Sequence, residues 1–397
     1  MSKHEVVIIG GGFAGVKAAL ELVDDPKIKV TLVSERPDFR YYPTLYRTAT
    51  GGRKMISSIP LATIFAGKSI TILQDSGTTI NRQEKTIATK AGRAVKYDSL
   101  LLCLGVQTNY FNIPGLQKYS YGIKTIEDAE ELKNHLHQQL IQQQRPDTNY
   151  IVIGAGPTGV ELAGALQAYV VKLLRDHGIS KRSVHIELVD TAPRILPRMP
   201  KAVSRRVARR LRKLDIRILT NRHVDTLDET TLTVDDRPIR SQTVIWTAGV
   251  TNNSFFKTNK FQLTAGGKVR VDQYLQAEPS VYVAGDNADT PYSGMAQTAL
   301  YDGKFIASNI TRLAHSQDTR SYVAKRPIYV TPVGRHFAAV QWGRLRIYGV
   351  AGWGLRKLAD YVAYHDYLPW RLAATLWLAE NDEENTCSQC LERGESS

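Results

Sequence analysis

Two glycine-rich segments of nearly the same pattern constrain this 397-residue chain more than any other feature. "HEVVIIGGGFAG" occupies residues 4–15, and "NYIVIGAGPTGVEL" occupies residues 149–162. Each has the pattern of a buried apolar strand, a tight turn and the start of an amphipathic helix. The glycines with G-x-G-x-x-G spacing are Gly10, Gly12 and Gly15 in the first segment, and Gly154, Gly156 and Gly159 in the second. The chain is therefore predicted to contain two βαβ units.

The spacing of these glycines is typical of turns that bind a dinucleotide. The first glycine permits the turn, the second lets the backbone approach a pyrophosphate, and the third brings helix and strand together. The phosphates then lie at the helix N-terminus, where backbone N–H groups favour negative charge. Pro157 in the second segment is well placed to start its helix. The repetition therefore predicts two dinucleotide sites in one chain.

An acidic residue ends the second strand of each unit, where ribose hydroxyls are expected. "KVTLVSE" ends in Glu35, twenty residues after Gly15, and "VHIELVD" ends in Asp190, thirty-one residues after Gly159. Asp190 favours an unphosphorylated ribose and hence NADH over NADPH. Arg194 lies close by and weakens this interpretation, because arginine can accept a 2′-phosphate.

A third segment, "SVYVAGDNAD" at residues 280–289, indicates which site holds which nucleotide. It is predicted to be a strand that runs into Gly285 and Asp286. An acid at this position suits the ribityl or pyrophosphate region of a flavin. The first unit would then be interrupted by the second and resume after it. We expect a bound flavin in the first unit and a diffusing nicotinamide nucleotide in the second, with hydride passing between them.

Composition excludes several classes of protein. Hydrophobic residues make up 43% of the chain and charged residues 23%, as in ordinary globular proteins. Three cysteines cannot form a disulfide framework, which favours a reducing compartment. We expect neither a signal peptide nor a membrane-spanning helix, since the chain enters a strand at once and lacks a long apolar run.

The net charge of +14 is the unusual bulk property, and its densest part is "KAVSRRVARRLRKLDIR" at residues 201–217. Val203, Val207 and Leu211 recur there at helical spacing, which predicts a helix with a solvated basic face. Aromatic residues are not interleaved with the arginines. No nucleic-acid partner is expected.

These segments together resemble the type II NADH:quinone oxidoreductases, single-subunit flavoproteins built on the two-domain plan of glutathione reductase. The resemblance covers nearly the whole chain, and "AGPTGVELAGAL" and "NYFNIPG" are its most specific parts. The other matching stretches are "IIGGGFAG", "YYPTLYRTATG", "VIWTAGV", "VYVAGD" and "AQTALYDGKFIASNI". It implies an α/β fold with two Rossmann-like domains, FAD and NADH as cofactors, and electron transfer to a membrane quinone without proton pumping.

The resemblance also implies roles for individual residues. FAD would contact Gly10, Gly12, Gly15, Glu35, Gly105, Asp286, Ala296 and Gln297. NADH would contact Gly154, Gly156, Gly159, Asp190 and Gly249. Quinone would be admitted at Ala296, Gln297, Tyr301 and Asp302, and Glu161 and Gln297 are the catalytic candidates. For Glu161, a carboxylate that simply favours the helix dipole remains an equal alternative.

The chain departs from the family pattern at two places. Tyr301 and Asp302 stand where the family usually has a glutamine pair or a glutamine and an acid, which leaves the electron acceptor open. Cys103 and Leu104 replace the usual Ala-Thr before Gly105, so the threonine hydroxyl expected near the flavin is absent.

The cysteines argue against related enzymes that need redox cysteines beside the flavin. Cys103 stands alone and is predicted to be a buried small hydrophobe. Cys387 and Cys390 have the spacing of a redox pair or half a zinc site, but they lie in an acidic tail that is predicted to be disordered. No metal site is expected.

The predicted domain organisation follows from these motifs. Residues 1–110 and 265–325 would form the FAD-binding domain and residues 111–264 the inserted NADH-binding domain. Residues 326–380 would form a membrane-association region, and residues 381–397 the acidic tail. In "GWGLRKLADYVAYHDYLPWRLAATLWLAE", residues 352–380, Leu355, Leu358 and Val362 share a helical face, and tryptophans and tyrosines are frequent.

This pattern predicts peripheral binding to an anionic membrane surface, at the cytoplasmic face of a prokaryotic cell membrane. Packing of these helices on the protein itself or in a homodimer remains an alternative. Two other functions also remain open. One is a soluble NADH oxidase or ferredoxin reductase, and the other is a redox-responsive binding flavoprotein similar to apoptosis-inducing factors.

Overall fold

The computed structural model describes residues 3–139, 149–176, 178 and 184–382. Cys387 and Cys390 lie outside the described residues. The α-helices in these ranges are α1 (Phe13–Leu22), α2 (Leu45–Ala49), α3 (Leu61–Ile64), α4 (Leu116–Tyr119), α5 (Ile126–His137), α6 (Pro157–Asp176), α7 (Lys201–Lys213), α8 (Ser254–Thr258), α9 (Ala296–Ala314), α10 (Val350–His365) and α11 (Trp370–Ala379).

Most strands in the described part of the chain are short, and they form seven sheets there. They are β1 (His4–Ile9), β2 (Ile28–Ser34), β3 (Asp38–Arg40), β4 (Ser58–Pro60), β5 (Thr71–Gln74), β6 (Gly77–Asn81), β7 (Thr86–Thr89), β8 (Ala94–Lys96), β9 (Ser99–Leu102), β10 (Val106–Thr108), β11 (Asn149–Ile153), β12 (His185–Asp190), β13 (Ile216–Thr220), β14 (Val224–Leu227), β15 (Thr231–Val234), β16 (Arg237–Arg240), β17 (Thr243–Trp246), β18 (Val250–Asn252), β19 (Gln276–Glu278), β20 (Val281–Val283), β21 (Tyr329–Pro332), β22 (Ala338–Trp342) and β23 (Leu345–Gly349).

The first large sheet joins distant parts of the chain. Its strand order is β19-β20-β9-β1-β2-β5, and all neighbours are parallel except β19 and β20. The apolar run of β1 fits this position, because a central parallel strand is covered on both faces and Val6 to Ile9 are all buried. Helices α1 and α9 pack against each other so closely that a Cβ at Gly303 of α9 would lie 2.3 Å from the Ala14 carbonyl oxygen of α1.

The second large sheet is formed entirely by the chain between these parts. Its order is β13-β12-β11-β17, and all four strands are parallel. The chain enters at β11, moves outward through β12 and β13, and returns to the other side of β11 as β17. The strand order therefore reverses at β11, where the second glycine turn begins. The predicted fold class, with one Rossmann-like unit inserted into another, is confirmed.

Helix α7 also agrees with its sequence pattern. Val203, Val207 and Leu211 are buried, and most of its arginines face outward. Arg210 is an exception, since its guanidinium donates to the carbonyls of Val333 and Arg335. Residues 201–213 of the basic tract are thus an amphipathic helix of the second unit, as predicted, and the end of the tract belongs to β13.

The last described part is a three-stranded antiparallel sheet, β21-β22-β23, followed by the hairpin of α10 and α11. This hairpin packs on the first unit. The Tyr364 hydroxyl donates to the Ile56 carbonyl at 2.9 Å, and the Tyr367 hydroxyl donates to the Phe13 carbonyl at 3.2 Å. Within the described ranges, none of the helices is both long and apolar enough to cross a membrane.

Candidate functional site

The first glycine turn has the geometry that its sequence requires. Gly10 has a φ of +113°, and a Cβ there would lie 2.1 Å from the Cys103 carbonyl oxygen. A Cβ at Gly15 would lie 2.0 Å from the Gly10 carbonyl oxygen. At Gly12, by contrast, a Cβ would meet nothing within 4 Å. The first and third glycines are thus required by close backbone packing, and the second faces open space at the start of α1.

The second turn repeats this arrangement. Gly154 has a φ of +106°, and a Cβ at Gly159 would lie 1.8 Å from the Gly154 carbonyl oxygen. A Cβ at Gly156 would meet nothing within 4 Å. Each turn therefore presents a bare backbone to an open space at a helix N-terminus, which is where a pyrophosphate fits.

The two acidic residues at strand ends lie beside these turns. Glu35 follows β2, is exposed, and accepts a hydrogen bond from the Ser76 hydroxyl at 2.9 Å. Asp190 ends β12, and its carboxylate accepts from the backbone N–H of Ala155 inside the second turn and from that of Ala192. Both carboxylates retain lone pairs for ribose hydroxyls.

The Arg194 side chain is engaged by its own loop. Its guanidinium donates to the carbonyls of Leu196 and Pro197, at 3.0 and 2.5 Å. This arrangement favours the NADH interpretation of Asp190 over the NADPH alternative.

A polar network joins the Gly105 turn to the segment that follows β20. The Asn287 side chain accepts from the Gly105 N–H at 2.9 Å and donates to the Gly105 carbonyl at 2.6 Å. Burial raises the pKa of Asp286 above its ordinary value, while Lys124 and Lys268 act in the opposite direction. Sequence reasoning missed Asn287, although it stands inside the "AGDNAD" motif beside Asp286.

The four predicted quinone contacts all belong to α9, and their side chains lie in different surroundings. Gln297 is exposed, and its amide exchanges two hydrogen bonds of 3.0 Å with the backbone of Ile328. Ala296 is partly exposed at the start of the helix. The Tyr301 ring lies under Lys325, with Nζ 4.3 Å from the ring centroid.

Asp302 lies in the interior rather than on an open surface. Its side chain is fully buried, and its carboxylate accepts from the Gly285 N–H at 3.0 Å and the Tyr322 hydroxyl at 2.6 Å. Burial raises the pKa of Asp302 to about 6. This residue therefore supports the loop that carries Asp286, and its geometry offers a quinone no contact.

Cys103 is buried beside the first turn, as predicted, and burial raises the pKa of its thiol. Among the described residues, no group of three or more histidines, cysteines and acids is arranged to hold a metal ion.

A cavity of about 400 Å³ lies beside Glu161. It is open to solvent on one side and lined by α2, α6, the turn between β21 and β22, and the C-terminal hairpin. Its lining includes Tyr46, Arg47, Glu161, Trp353, Lys357 and Glu380. Gln297, Tyr301 and Asp302 do not line it.

Glu161 is the perturbed acid of this cavity. The pKa of its carboxyl is raised to about 8, because the effects of burial and of Asp360 outweigh those of Arg356 and Arg47, which lower it. The group is therefore mostly protonated at neutral pH, and it can give up a proton to a bound molecule. The carboxylate-on-a-helix alternative does not account for this, since a helix N-terminus would lower the pKa.

Buried ion pairs lie on the inner side of the C-terminal hairpin, and Arg47 of α2 takes part in one of them. Arg356 Nε lies 2.6 Å from Asp360 Oδ2, and both side chains are buried. Lys357 Nζ and Arg47 reach the same oxygen of Glu380, at 2.9 and 3.2 Å. The sequence pattern placed Leu355, Leu358 and Val362 on one face of α10, but it did not predict that the charged residues of this helix point inward.

Comparison with known proteins agrees with this geometry. The family model for pyridine nucleotide-disulphide oxidoreductases matches residues 4–303. A curated relative, the type II NADH:quinone oxidoreductase NdhA of Mycobacterium tuberculosis, is 28% identical over 386 residues, covering 88% of this chain and 81% of the relative. The type II NADH:quinone oxidoreductase of Staphylococcus saprophyticus is 24% identical over 383 residues, covering 90% and 94%.

Solved structures show the same fold. The structure of NDH2 from Plasmodium falciparum in complex with NADH has a TM-score of 0.85 at 18% identity, covering 95% of this chain and 97% of that one. The sulfide:quinone oxidoreductase of Aquifex aeolicus has a TM-score of 0.78 at 20% identity, covering 94% and 92%. With two matching glycine turns in two parallel sheets and a family model that spans most of its length, the chain belongs to the pyridine nucleotide-disulphide oxidoreductase family.

Proposed function

We propose that this protein is an NADH:quinone oxidoreductase that holds FAD at the first glycine turn and NADH at the second. The observation that carries the proposal is the repetition of one backbone geometry in two sheets, each with a bare middle glycine at a helix N-terminus. The names of the curated relatives support the same activity. FAD, when bound, accepts hydride from NADH and passes two electrons to a quinone.

For the cofactor sites, we propose that the residues divide by sheet. In the first unit, Gly12 and Glu35 hold the pyrophosphate and ribose of FAD, and Asp286 its ribityl chain. In the second unit, Gly156 and Asp190 hold the corresponding parts of NADH. The hydrogen bonds of Asn287 to Gly105 fix the distance between two segments that face the flavin.

We propose that the quinone head group occupies the cavity beside Glu161. Reduction of a quinone consumes two electrons and two protons. A carboxyl group with a pKa of about 8 is a proton donor at neutral pH. Trp353 and Tyr46 supply apolar walls, and Lys357 and Glu380 close the side formed by the hairpin. Ala296 and Gln297 remain proposed contacts of the flavin, on the face opposite to the one that meets NADH.

A pH profile tests Glu161. If it donates a proton, quinone reduction should fall as the pH rises through about 8, because the carboxyl ionises. Glu161→Gln should lower kcat for quinone by roughly 10²-fold or more and remove this pH dependence. The reduction of ferricyanide, which takes up electrons without protons, should change little. An unchanged quinone profile in Glu161→Gln would exclude the carboxyl as the donor.

We further propose that the outer face of the hairpin binds an anionic membrane surface. Because the charges of α10 point inward, its apolar side chains face outward: Leu358 is 57% exposed and Val362 is 46% exposed. Trp370, Leu372 and Leu378 of α11 are also exposed. Such a surface suits the headgroup region of a bilayer, where a lipid-soluble quinone is available.

Surface substitution tests this face better than truncation, because Tyr364 and Tyr367 of α10 and its following turn belong to the core. Leu358→Glu/Val362→Glu should weaken binding to vesicles that contain an anionic phospholipid by at least about tenfold, since each buried aliphatic side chain contributes roughly 1.5–3 kcal/mol. Ferricyanide reduction should be retained. Co-sedimentation with vesicles is the measurement.

The matched control for this experiment is Val171→Glu/Leu313→Glu, which places the same charges on exposed apolar positions of α6 and α9. It should leave vesicle binding unchanged. Equal loss in both double variants would show that added negative charge, rather than this face, is responsible. If the hairpin face is instead a homodimer interface, the first variant should become monomeric without any change in vesicle binding.

Steady-state turnover tests the function as a whole. The FAD-loaded protein should oxidise NADH rapidly with a short-chain quinone or ferricyanide and slowly with oxygen. Turnover with oxygen alone would indicate an NADH oxidase, and turnover only with a ferredoxin would indicate a ferredoxin reductase. Reduction of FAD by NADH without turnover on any acceptor would favour a redox-responsive binding protein.

A further inference from the structure

The "NYFNIPG" motif at residues 109–115 is not used by the function as proposed so far, and its backbone is unusual. Phe111 has a φ of +51° and Asn112 a φ of +56°. This left-handed region is strained for a bulky aromatic residue. The Phe111 ring is nevertheless 57% exposed. Strained residues of this kind cluster at ligand-binding sites. The exposed ring of Phe111 is therefore a candidate ligand contact.

Several contacts hold Phe111 in this conformation. The Asn109 side chain accepts the Phe111 N–H at 2.8 Å, and the Asn109 carbonyl accepts the indole N–H of Trp246 at 3.0 Å. The Tyr110 ring stacks on Trp246 at 6.3 Å, and the Phe111 ring meets the same indole edge-on at 6.2 Å. The segment is thereby fixed to the carboxyl end of β17.

The ring lies next to the second glycine turn. A Cβ at Gly249 would lie 2.4 Å from Phe111 Cε2, so the ring packs directly on this glycine. The preceding residue, Ala248, borders the turn itself, since a Cβ at Gly154 would lie 2.8 Å from the Ala248 nitrogen. The turn and the Ala248–Gly249 segment follow the carboxyl ends of β11 and β17, at the point where the strand order reverses. Ligands of open α/β sheets bind in this crevice.

The same segment connects the second site with the first. Strand β10, which leads to Phe111, pairs with β18, and it begins after Gly105. Asn287 bonds both polar backbone atoms of Gly105 and also donates to the Asn252 side chain of β18 at 2.6 Å. Phe111 therefore stands at the end of a two-stranded ribbon whose other end lies at the proposed flavin site.

We propose that Phe111 is a binding residue of the NADH site, whose exposed ring contacts the dinucleotide in the crevice between β11 and β17. An apolar ring fixed at this position excludes water from one side of the nucleotide and offers a surface to its planar groups. The strain at Phe111 and Asn112 keeps the ring outside the core, and Gly249 is required because any side chain there would displace the ring. This inference rests on the proposed NADH activity.

Binding of NAD⁺ to the oxidised, FAD-loaded protein tests the inference, with isothermal calorimetry as the measurement. Phe111→Ala should raise the Kd for NAD⁺ about tenfold, which corresponds to about 1.4 kcal/mol. Phe111→Leu should also raise the Kd for NAD⁺, because leucine keeps the apolar volume but lacks the flat face of the ring. Phe111→Tyr and Phe111→Trp should stay within about twofold of the wild type, since both keep an aromatic face. The KM for NADH should follow these changes, and FAD content should not.

Trp342→Ala is the matched control, because it removes a ring of similar exposure, 59%, from the end of β22. It should leave the Kd for NAD⁺ unchanged. Equal affinity in wild type, Phe111→Ala and Phe111→Leu would overturn the inference. A lower melting temperature with unchanged affinity would likewise overturn it and show that the ring only packs on Trp246. If the wild-type protein itself does not bind NAD⁺, the proposed function fails together with this inference.

Discussion

Gly12→Val should yield a folded, colourless protein. The backbone at Gly12 is extended, with a φ of −94° and a ψ of −168°, a conformation that valine adopts readily. A Cβ there meets no protein atom within 4 Å, so the substitution costs the apoprotein little. The valine side chain would instead fill the space into which a pyrophosphate must come. We expect at least about a hundredfold weaker FAD binding, about 2.8 kcal/mol, measured by flavin absorbance of the purified protein.

The second turn supplies the control for this experiment. Gly156 has the same open surroundings, so Gly156→Val should remain yellow and lose NADH binding instead. A yellow Gly12→Val protein would contradict the assignment of the first turn to FAD. Gly10→Val should prevent correct folding instead of only weakening FAD binding, because its Cβ would collide with the Cys103 carbonyl oxygen.

Arg356→Met should destabilise the protein by about 3–5 kcal/mol, the usual effect of removing one partner of a buried ion pair. The Arg356 and Asp360 side chains are only 6% and 4% exposed, and their closest atoms are 2.6 Å apart. The guanidinium also donates to the Pro43 carbonyl at 3.3 Å. Without it, the buried Asp360 carboxylate loses its ion-pair partner. Denaturant unfolding of the FAD-loaded protein measures the loss.

The double variant Arg356→Met/Asp360→Leu should recover most of this stability, because it removes the unpaired charge as well. The loss in the single variant should also depend on pH. Burial raises the pKa of Asp360, so its ionised form is the destabilising one in the folded state. The destabilisation should therefore grow as the pH rises and shrink as Asp360 becomes protonated. A single variant with wild-type stability at all pH values would show that this buried pair does not contribute to the stability of the protein.

The double variant also tests whether this ion pair contributes only to protein stability or also to quinone reduction. Arg356 lowers the pKa of Glu161, and Asp360 raises it. Removal of both should therefore leave Glu161 titrating near its original range, and quinone reduction should keep its pH dependence. Loss of that dependence with restored stability would indicate that the pair itself takes part in the proton path.

Much of the fold and of both nucleotide sites could be predicted from the sequence because they depend on short-range backbone geometry. Gly15 is required by its close approach to the Gly10 carbonyl oxygen within one turn, and the φ of +113° at Gly10 favours glycine there. An apolar run such as "VVII" next to such a turn is typical of a buried strand. The acid that ends β12 lies next to the second turn because parallel neighbours place their carboxyl ends at the same edge. Spacing along the chain therefore determined these features.

The quinone cavity and the surroundings of individual polar side chains depend on tertiary structure instead. Asp302 and Gln297 are five residues apart on one helix, yet one is buried under Gly285 and the other faces solvent. The sequence shows that α10 has a charged and an apolar face, but a helical period carries no information about which face points inward. The charged face points inward because distant residues supply charges for it: Glu380 pairs with Lys357 of α10 and also with Arg47 of α2. Because burial and pairing of charges are set by the whole fold, only the tertiary structure could place Glu161 in a cavity with a raised pKa.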